Sequence, residues 1–419
     1  MSALQFLLVA YLAWFAVSRL FHLVSGLQSL WIGWTWRHAS TDSMVADAAV
    51  QDSHRPISLL VPSTGSEPLA VLATTRALAA MEFPEIEIIV AAGDADGALA
   101  GALREEWDLE DAPHPIAARV PEAPPWRLLR SRRDVRLSVA ITGPGAALST
   151  ALGLARSPLV CVVSPGDEVD PVALLRASML FAGSEHVVAI AGGALPLRTA
   201  DRFLERVAHA AHVRSFFAGG AARAAFRARL GGSAPFHLLH RESLLRAGGF
   251  DESMADPHLD ALVRMGRRLR RDGLPFHTLV ALEAVGRTAL PADVRSLFRL
   301  RRDARHGLAQ ILRRHRDAML RPRYGTLGWI ALPYLWCFAL AAPAVEAAGV
   351  LLLAASIAGG AVPWDLAVLA VGGAAALGLL RLAIALGASR LLAGSPRIAA
   401  SSHGSGVARA PERRVRAGT

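Results

Sequence analysis

Two carboxylate clusters, a histidine between two aspartates and a strip of arginines are the parts of this chain that could carry chemistry. Asp167, Glu168 and Asp170 follow one short apolar run, and Asp94 and Asp96 follow an earlier one. Carboxylates after successive buried strands suit a hard divalent cation that holds phosphates, because Mg2+ takes oxygen ligands and keeps several waters. The same residues also suit structural work. Asp170 before Pro171 has the pattern of an N-cap followed by proline at the first helical position, and Asp94 and Asp96 suit a turn. Farther on, Asp256-Pro257-His258-Leu259-Asp260 precedes a helical run to Arg271. An imidazole there is a competent proton acceptor near neutral pH, and a lone histidine is equally at home in a core. Arg295, Arg299, Arg301, Arg302, Arg305, Arg313, Arg314 and Arg316 form the strip. Such a basic helix suits lipid headgroups or a pyrophosphate. Nucleic acid is not the expected partner, since the strip lacks interleaved aromatics and no DNA or RNA module surrounds it.

The elements that position these residues alternate. Short apolar runs at 57–61, 86–92, 135–141, 159–163 and 187–191 are separated by helical stretches at 66–82, 96–107, 145–155 and 171–182. That alternation predicts an α/β domain whose largely parallel sheet is buried on both faces. In such sheets ligands bind at the carboxyl ends of strands. Four loops therefore matter most: 62–67, with Pro62, Thr64 and Glu67, then 91–97, 142–145 and 164–170. Gly248-Gly249 reads as turn chemistry. Walker, GxGxxG and GxSxG motifs and a Cys/His metal cluster are absent from the sequence.

Composition sets the context. The chain has 419 residues, 53% hydrophobic and 19% charged, with a net charge of +10 and no lysine, so every fixed cation is arginine. Two cysteines exclude a disulfide scaffold, and the apolar content excludes intrinsic disorder. A mean hydropathy of +0.35 directs attention to membrane spans. Residues 3–18 carry no charge, and the apolar run continues past Arg19 and His22, so one span is expected over residues 1–25. Positive charge follows that run, which places the N-terminus outside and the following chain in the cytoplasm. Residues 39–55 read as a polar linker and 56–320 as the cytoplasmic domain. Residues 322–388 read as an interfacial helix plus spans at 336–359 and 364–388. The basic, small-residue segment 389–419 reads as a disordered cytoplasmic tail. Glu346 and Arg381 would each lie roughly 15 Å from the cytoplasmic face at about 1.5 Å of rise per residue, and are expected to pair.

The order of segments resembles the family-2 membrane glycosyltransferases, the group of cellulose-synthase-like, poly-N-acetylglucosamine-synthase-like and ceramide-glucosyltransferase-like enzymes. The likeness covers residues 55–388. "RPISLLVPSTGSEPLAVLATTRALAAMEFPEIEIIVAAGDADG" is similar to the family's opening strand, helix and nucleotide-binding strand, and "GPGAALSTALGLARSPLVCVVSPGDEVDPVALL" to its middle segment. "RESLLRAGGFDE" resembles its acceptor-side turn, "EAVGRTALPADVRSLFRLRRDARHG" its closing helix and "LPYLWCFALAAPAVEAAGVLL" its first C-terminal span. The resemblance implies a GT-A nucleotide-sugar domain on a membrane anchor. It also implies a nucleotide-diphosphate sugar donor of the UDP type, a lipid or glycan acceptor, and a divalent cation, Mg2+ or Mn2+. Partners would be membrane lipids and other envelope-glycan proteins, in a bacterial inner membrane.

Carried over position by position, the motifs are degenerate. The family's Asp pair after the second strand falls on Ala91 and Ala92, with Asp94 and Asp96 following; its Lys and Asn in the third loop fall on Pro144 and Ser149. Its Asp-x-Asp falls on Ser164-Pro165-Gly166, leaving Asp167, Glu168 and Asp170 for a metal. Its Glu-Asp base falls on Pro257-His258, leaving His258, Asp256 or Asp260. Its Gln-x-x-Arg-Trp falls on Leu300–Ala304, leaving Arg301, Arg302 and Arg305 for the diphosphate, beside Pro62, Thr64, Glu67, Asp94 and Asp96 for the nucleotide. An active glycosyltransferase and a catalytically silent scaffold of the same fold both fit that pattern.

Overall fold

The computed structural model describes residues 3–38, 55–63, 66–83, 85–93, 97–113, 127–143, 145–182, 186–196, 236–288, 294–360 and 362–393. Helix α1 (Ala3–His38) comes first. The domain then runs β1 (Ile57–Pro62), α2 (Pro68–Ala79), β2 (Ile86–Ala92), α3 (Ala98–Trp107), β3 (Leu109–Ala112), β4 (Arg127–Ser131), β5 (Leu137–Ile141) and α4 (Ala147–Leu154). It continues with β6 (Leu159–Val163), β7 (Glu168–Val169), α5 (Pro171–Ala182), β8 (Val187–Pro196), β9 (Phe236–His240) and α6 (Arg241–Arg246). Then come α7 (Pro257–Arg271), β10 (His277–Thr288) and α8 (Val294–Arg314). Three apolar helices close the chain: α9 (Leu327–Leu340), α10 (Ala342–Ala358) and α11 (Trp364–Ala393).

The described strands form one sheet in the order β3-β4-β5-β2-β1-β6-β9-β8-β10-β7. Its centre is parallel: β5, β2, β1 and β6 point the same way. The sheet is more mixed than the apolar runs alone suggest. β9 runs antiparallel between β6 and β8, and β3 and β4 form an antiparallel edge. The central strands read as unbroken apolar runs because both their faces are covered. Leu60, Ile89, Ala140, Val160 and Val162 face the layer of α4 and α7. Alternate residues Leu59, Val61, Ile88, Val90 and Cys161 face α2, α3 and α5.

The first of these two cores does not stop at α8. Tyr324, Leu327 and Leu332 are fully buried and belong to the same cluster as Leu269 and Phe276. Gly266 permits that docking, since a Cβ there would lie 2.8 Å from the Leu327 side chain and 3.0 Å from the Phe276 ring. The domain's packing thus reaches past the boundary expected at residue 320.

Two described helices are long and apolar enough to cross a membrane, with windows at Phe6–Gln28 and Trp364–Ile384; the pair α9 and α10, bent by 51°, makes up to three. The bend falls at Ala341, not at the expected start of a straight span over 336–359. Pro343 cannot donate to the carbonyl four residues back and its ring crowds it. Ahead of it the turn widens, with the Ala341 N–H reaching the Trp336 carbonyl at 2.9 Å. Gly26 touches Ile384 and Gly387 touches Leu30, so α1 and α11 run parallel. Glu346 pairs with Arg19 of α1 at 2.9 Å, and not with Arg381 as expected. The chain between 39 and 54 and beyond 393 lies outside the described residues, while 389–393, expected in the tail, continue α11.

Candidate functional site

The parallel strands bring their carboxyl ends to one edge, and short hydrogen bonds lace the loops there. The Ser63 N–H reaches the Ala91 carbonyl at 2.9 Å, the Gly93 N–H reaches Ser63 Oγ at 3.3 Å, and the Thr142 N–H reaches the Ala92 carbonyl at 2.8 Å. Pro62 ends β1 half-buried at this edge, and Glu67 stands exposed before α2 without capping it. Thr64, Asp94, Asp96 and Pro144 lie outside the described residues.

After β6 the chain makes a tight turn. Ser164 accepts a hydrogen bond from the Asp167 N–H at 3.0 Å, with Pro165 and Gly166 between them and Gly166 at φ +89°. Proline followed by a left-handed glycine is the pattern of a type II turn. Thr74 Oγ1 of α2 fixes it by accepting from the Gly166 N–H at 2.9 Å. The stretch where the family's metal motif would fall is therefore turn backbone, with Asp167 following it. Glu168 and Asp170 each hold a partner of their own. Asp170 caps α5 by accepting from the Val172 N–H at 2.8 Å, and Glu168 on β7 faces Arg287 at 3.7 Å. No group of three His, Cys, Asp or Glu side chains suited to a metal ion occurs among the described residues.

The three residues expected as proton acceptors separate just as clearly. Asp256 caps α7, accepting from the Leu259 N–H at 2.9 Å. Asp260 is fully buried and holds His315 Nε2 at 2.9 Å and Arg264 Nε at 2.7 Å. Burial alone would raise its pKa; the His315 and Arg264 hydrogen bonds and the charges of Arg264 and Arg314 outweigh that and keep it below the usual carboxylate range. A carboxylate so enclosed is a structural tie and meets no substrate.

His258 is different. Its ring stacks on that of His237 at 5.6 Å and 13°, and meets the edge of Phe250 at 5.3 Å. His237 pairs with Val162, near the carboxyl end of β6, and with Ala191 in the middle of β8, so the stack stands toward the ligand edge at β6. Nδ1 of His258 is buried without a hydrogen-bond partner. Burial lowers the imidazole pKa, against the opposing charge of Asp256, which leaves the ring neutral near pH 7.

Around it the Gly-Gly turn is held by Arg264 and Glu252, which sequence reasoning passed over. Arg264 donates to the carbonyls of Ala247 at 2.6 Å and Gly249 at 2.7 Å. Gly248 and Gly249 take φ +91° and +68°, as the turn chemistry of the Gly-Gly pair predicts. Glu252 accepts from the Ser149 N–H at 2.9 Å and so satisfies the start of α4, while Ser149 Oγ donates to the Phe250 carbonyl. The Ser149 position is thus used to dock this turn. His237 carried no motif that could have marked it.

Arg301, Arg302 and Arg305 do not join this group. Gly307 packs on Ala255 and Asp256, and Gln310 accepts from the Ala255 N–H, so that side of α8 faces α7. At about 100° per residue the three arginines fall on the opposite side, and all are exposed.

No protein-family model matches the sequence, and no curated protein matches it. Among solved structures, a mannosyltransferase from Pyrobaculum calidifontis, determined with GDP-Man and Mn2+, matches with a TM-score of 0.56. Identity is 18%, over 93% of this chain and 99% of that one. S. aureus TarS matches with a TM-score of 0.36 at 15% identity, over 61% of this chain and 65% of that one. Glucosyl-3-phosphoglycerate synthase from Mycobacterium tuberculosis matches with a TM-score of 0.36 at 14% identity, over 64% of this chain and 83% of that one. The mannosyltransferase likeness spans nearly both chains, and at that identity it is one of fold: this chain shares the GT-A architecture of that structure.

Proposed function

We propose that the protein is a membrane-anchored glycosyltransferase of the family-2 kind. It would move a sugar from a nucleotide-diphosphate donor onto a lipid or glycan acceptor at the cytoplasmic face of a bacterial inner membrane. The observation that carries this is the neutral imidazole of His258, whose buried Nδ1 has no hydrogen-bond partner among the described residues and which stands at the ligand edge of a nucleotide-sugar fold. An inverting transfer needs a group that takes the acceptor hydroxyl proton as the hydroxyl attacks the anomeric carbon. Asp256 and Asp260 are occupied elsewhere, so that role falls to His258, with His237 and Phe250 holding its plane.

The mannosyltransferase of similar fold was determined with GDP-Man and Mn2+. In the present chain the described donors do not make a resident metal site. They suit an ion carried in by the substrate, because Mg2+-type ions take most ligands from phosphates and water and need only one or two carboxylates. Asp167, directly after the β6 turn, is the carboxylate best placed to meet it. Such an ion would offset charge on the leaving diphosphate. A silent scaffold in an envelope-glycan complex is favoured by one observation only: Asp170, Asp256 and Asp260 serve as caps and ties.

Isothermal titration of the full chain in detergent with UDP and with GDP, each with and without Mn2+, separates the two. Binding of at least one nucleotide is expected, and no binding under any condition overturns the enzyme. Given binding, His258→Ala should lower sugar-nucleotide turnover by about 10²–10⁴-fold while leaving nucleotide affinity in place, the range that loss of a general base costs. Unchanged turnover removes His258 from the mechanism.

A further inference from the structure

Over about its first four turns helix α8 has one face that neither core uses. Taking Gly307 as the direction of α7, Arg295, Phe298, Arg301, Arg302, Arg305 and Arg313 fall within about 60° of the opposite direction, at about 100° per residue. Every one of them is exposed, Phe298 at 68%. The helix's one acid, Asp303, lies on the α7 side. In the last turn Ile311 and Leu312 join the core that contains Leu335 of α9, and exposed Trp329 and Trp336 mark that apolar helix. Tryptophan on an apolar helix is the signature of a headgroup level.

We infer that this face of α8 binds the anionic headgroups of the bilayer, with Phe298 inserted between arginines that clasp lipid phosphates. Guanidinium groups bind phosphate oxygens bidentately. An apolar residue within a basic face is how an amphipathic helix seats at an interface. No acid on the face opposes such a surface, and the face continues directly from the side packed on α9. A diphosphate at the sheet edge is the poorer occupant, because the face points away from Asp256 and hence from the His258 stack beyond it. The inference rests on the membrane placement proposed above, and does not depend on catalysis.

Amide hydrogen exchange over residues 295–306 tests it, with the full chain in nanodiscs of phosphatidylcholine alone and with one third phosphatidylglycerol. Exchange should slow in the anionic discs by about fivefold for each arginine that meets the surface. Raised salt should reverse the effect, and an Arg302→Gln/Arg305→Gln variant should diminish it. Equal exchange in both lipids overturns the inference, as does slowing produced by UDP or GDP in phosphatidylcholine discs, which would return the arginines to a diphosphate. The wild-type comparison of lipids and salt stands even where the variant folds poorly. A chain that will not enter discs at all removes the membrane placement first, and this inference with it.

Discussion

His258 and Asp260 stand two positions apart on α7, and the helix turns them to different environments. Asp260 goes inward, where its partners fix proton positions. Arg267 Nη1 lies 2.8 Å from His315 Nδ1, and a guanidinium can only donate, so Nδ1 accepts and Nε2 carries the hydrogen given to Asp260. His315 is therefore neutral, between a cation and an anion. Asp260→Asn removes the charge that Arg264 and His315 face. Breaking a buried ion pair from one side costs about 3–5 kcal/mol, which lowers the melting temperature by roughly 6–20 °C at the about 2–4 °C per kcal/mol of a domain of some 150–250 residues. A thermal melt in detergent measures it, and an unchanged midpoint would mean that Asp260 is not the tie described. His258 faces the sheet edge, and its depressed pKa gives pH predictions of definite sign. As a base it works unprotonated, so the acid limb of the turnover profile should lie below the ordinary imidazole value of about 6.5. For stability, the unfolded chain binds this proton more readily than the folded one. The contribution is complete above the unfolded pKa and is lost as pH falls through the folded one. An acid limb above the ordinary value, abolished in His258→Ala, would contradict both signs.

At the scale of elements, helix direction decides which charges meet. Glu346 and Arg381 looked paired because both lie at similar depth along their own helices, and depth can be counted in a sequence. Azimuth cannot. α10 packs against α1, where a Cβ on Gly349 would overlap the Tyr11 ring, so only glycine admits that approach. The contact presents Glu346 to Arg19. A double-mutant cycle should follow contact and not depth. Arg19→Ala and Glu346→Ala should fall short of additivity in thermal stability by about 0.5–3 kcal/mol, the range for residues in one ion pair. Arg381→Ala and Glu346→Ala should add. Coupling in the second cycle and none in the first would restore the pairing expected from depth. The sheet repeats the lesson. β1, β2 and β6 were legible because burial on both faces leaves continuous apolar runs. β3, Leu-Glu-Asp-Ala, is an exposed edge whose polar residues disguise it, and β9 holds two histidines at its ends. The turn at Ser164-Pro165-Gly166 was not read from the sequence, although proline followed by glycine is its signal. The commitment of Asp260 was not legible, because His315 and Arg314, which close it in, lie some fifty residues away.

For the whole molecule, the composition shift near residue 320 invites a boundary between a polar domain and an apolar anchor. Packing places the division later. Arg267 pairs with Asp317 and lies over the Tyr324 ring, Arg271 reaches the Tyr324 hydroxyl, and Leu327, Leu332 and Leu335 complete the core under α7. The first turns of the apolar block are domain core in side-chain terms, while the helices after the bend at Ala341 are largely exposed along their apolar faces. A boundary drawn by composition could not see this, because a leucine in a core and a leucine facing lipid are the same letter. The difference has a measurable consequence. A chain truncated after residue 320 loses Tyr324, Leu327, Leu332 and Leu335 from the core and exposes Leu269 and Phe276. At about 1.5–3 kcal/mol for each fully buried large apolar side chain, the loss reaches the whole net stability of about 5–15 kcal/mol typical of a domain. A chain beginning at residue 55 and ending at 320 should therefore aggregate or melt without cooperativity. The same chain carried to residue 341 should give a cooperative melt in mild detergent and retain whatever nucleotide binding the full chain has. Equal cooperativity in both would mean that α9 belongs to the anchor alone, and that the continuous core joining it to α7 contributes little to holding the sheet edge in shape.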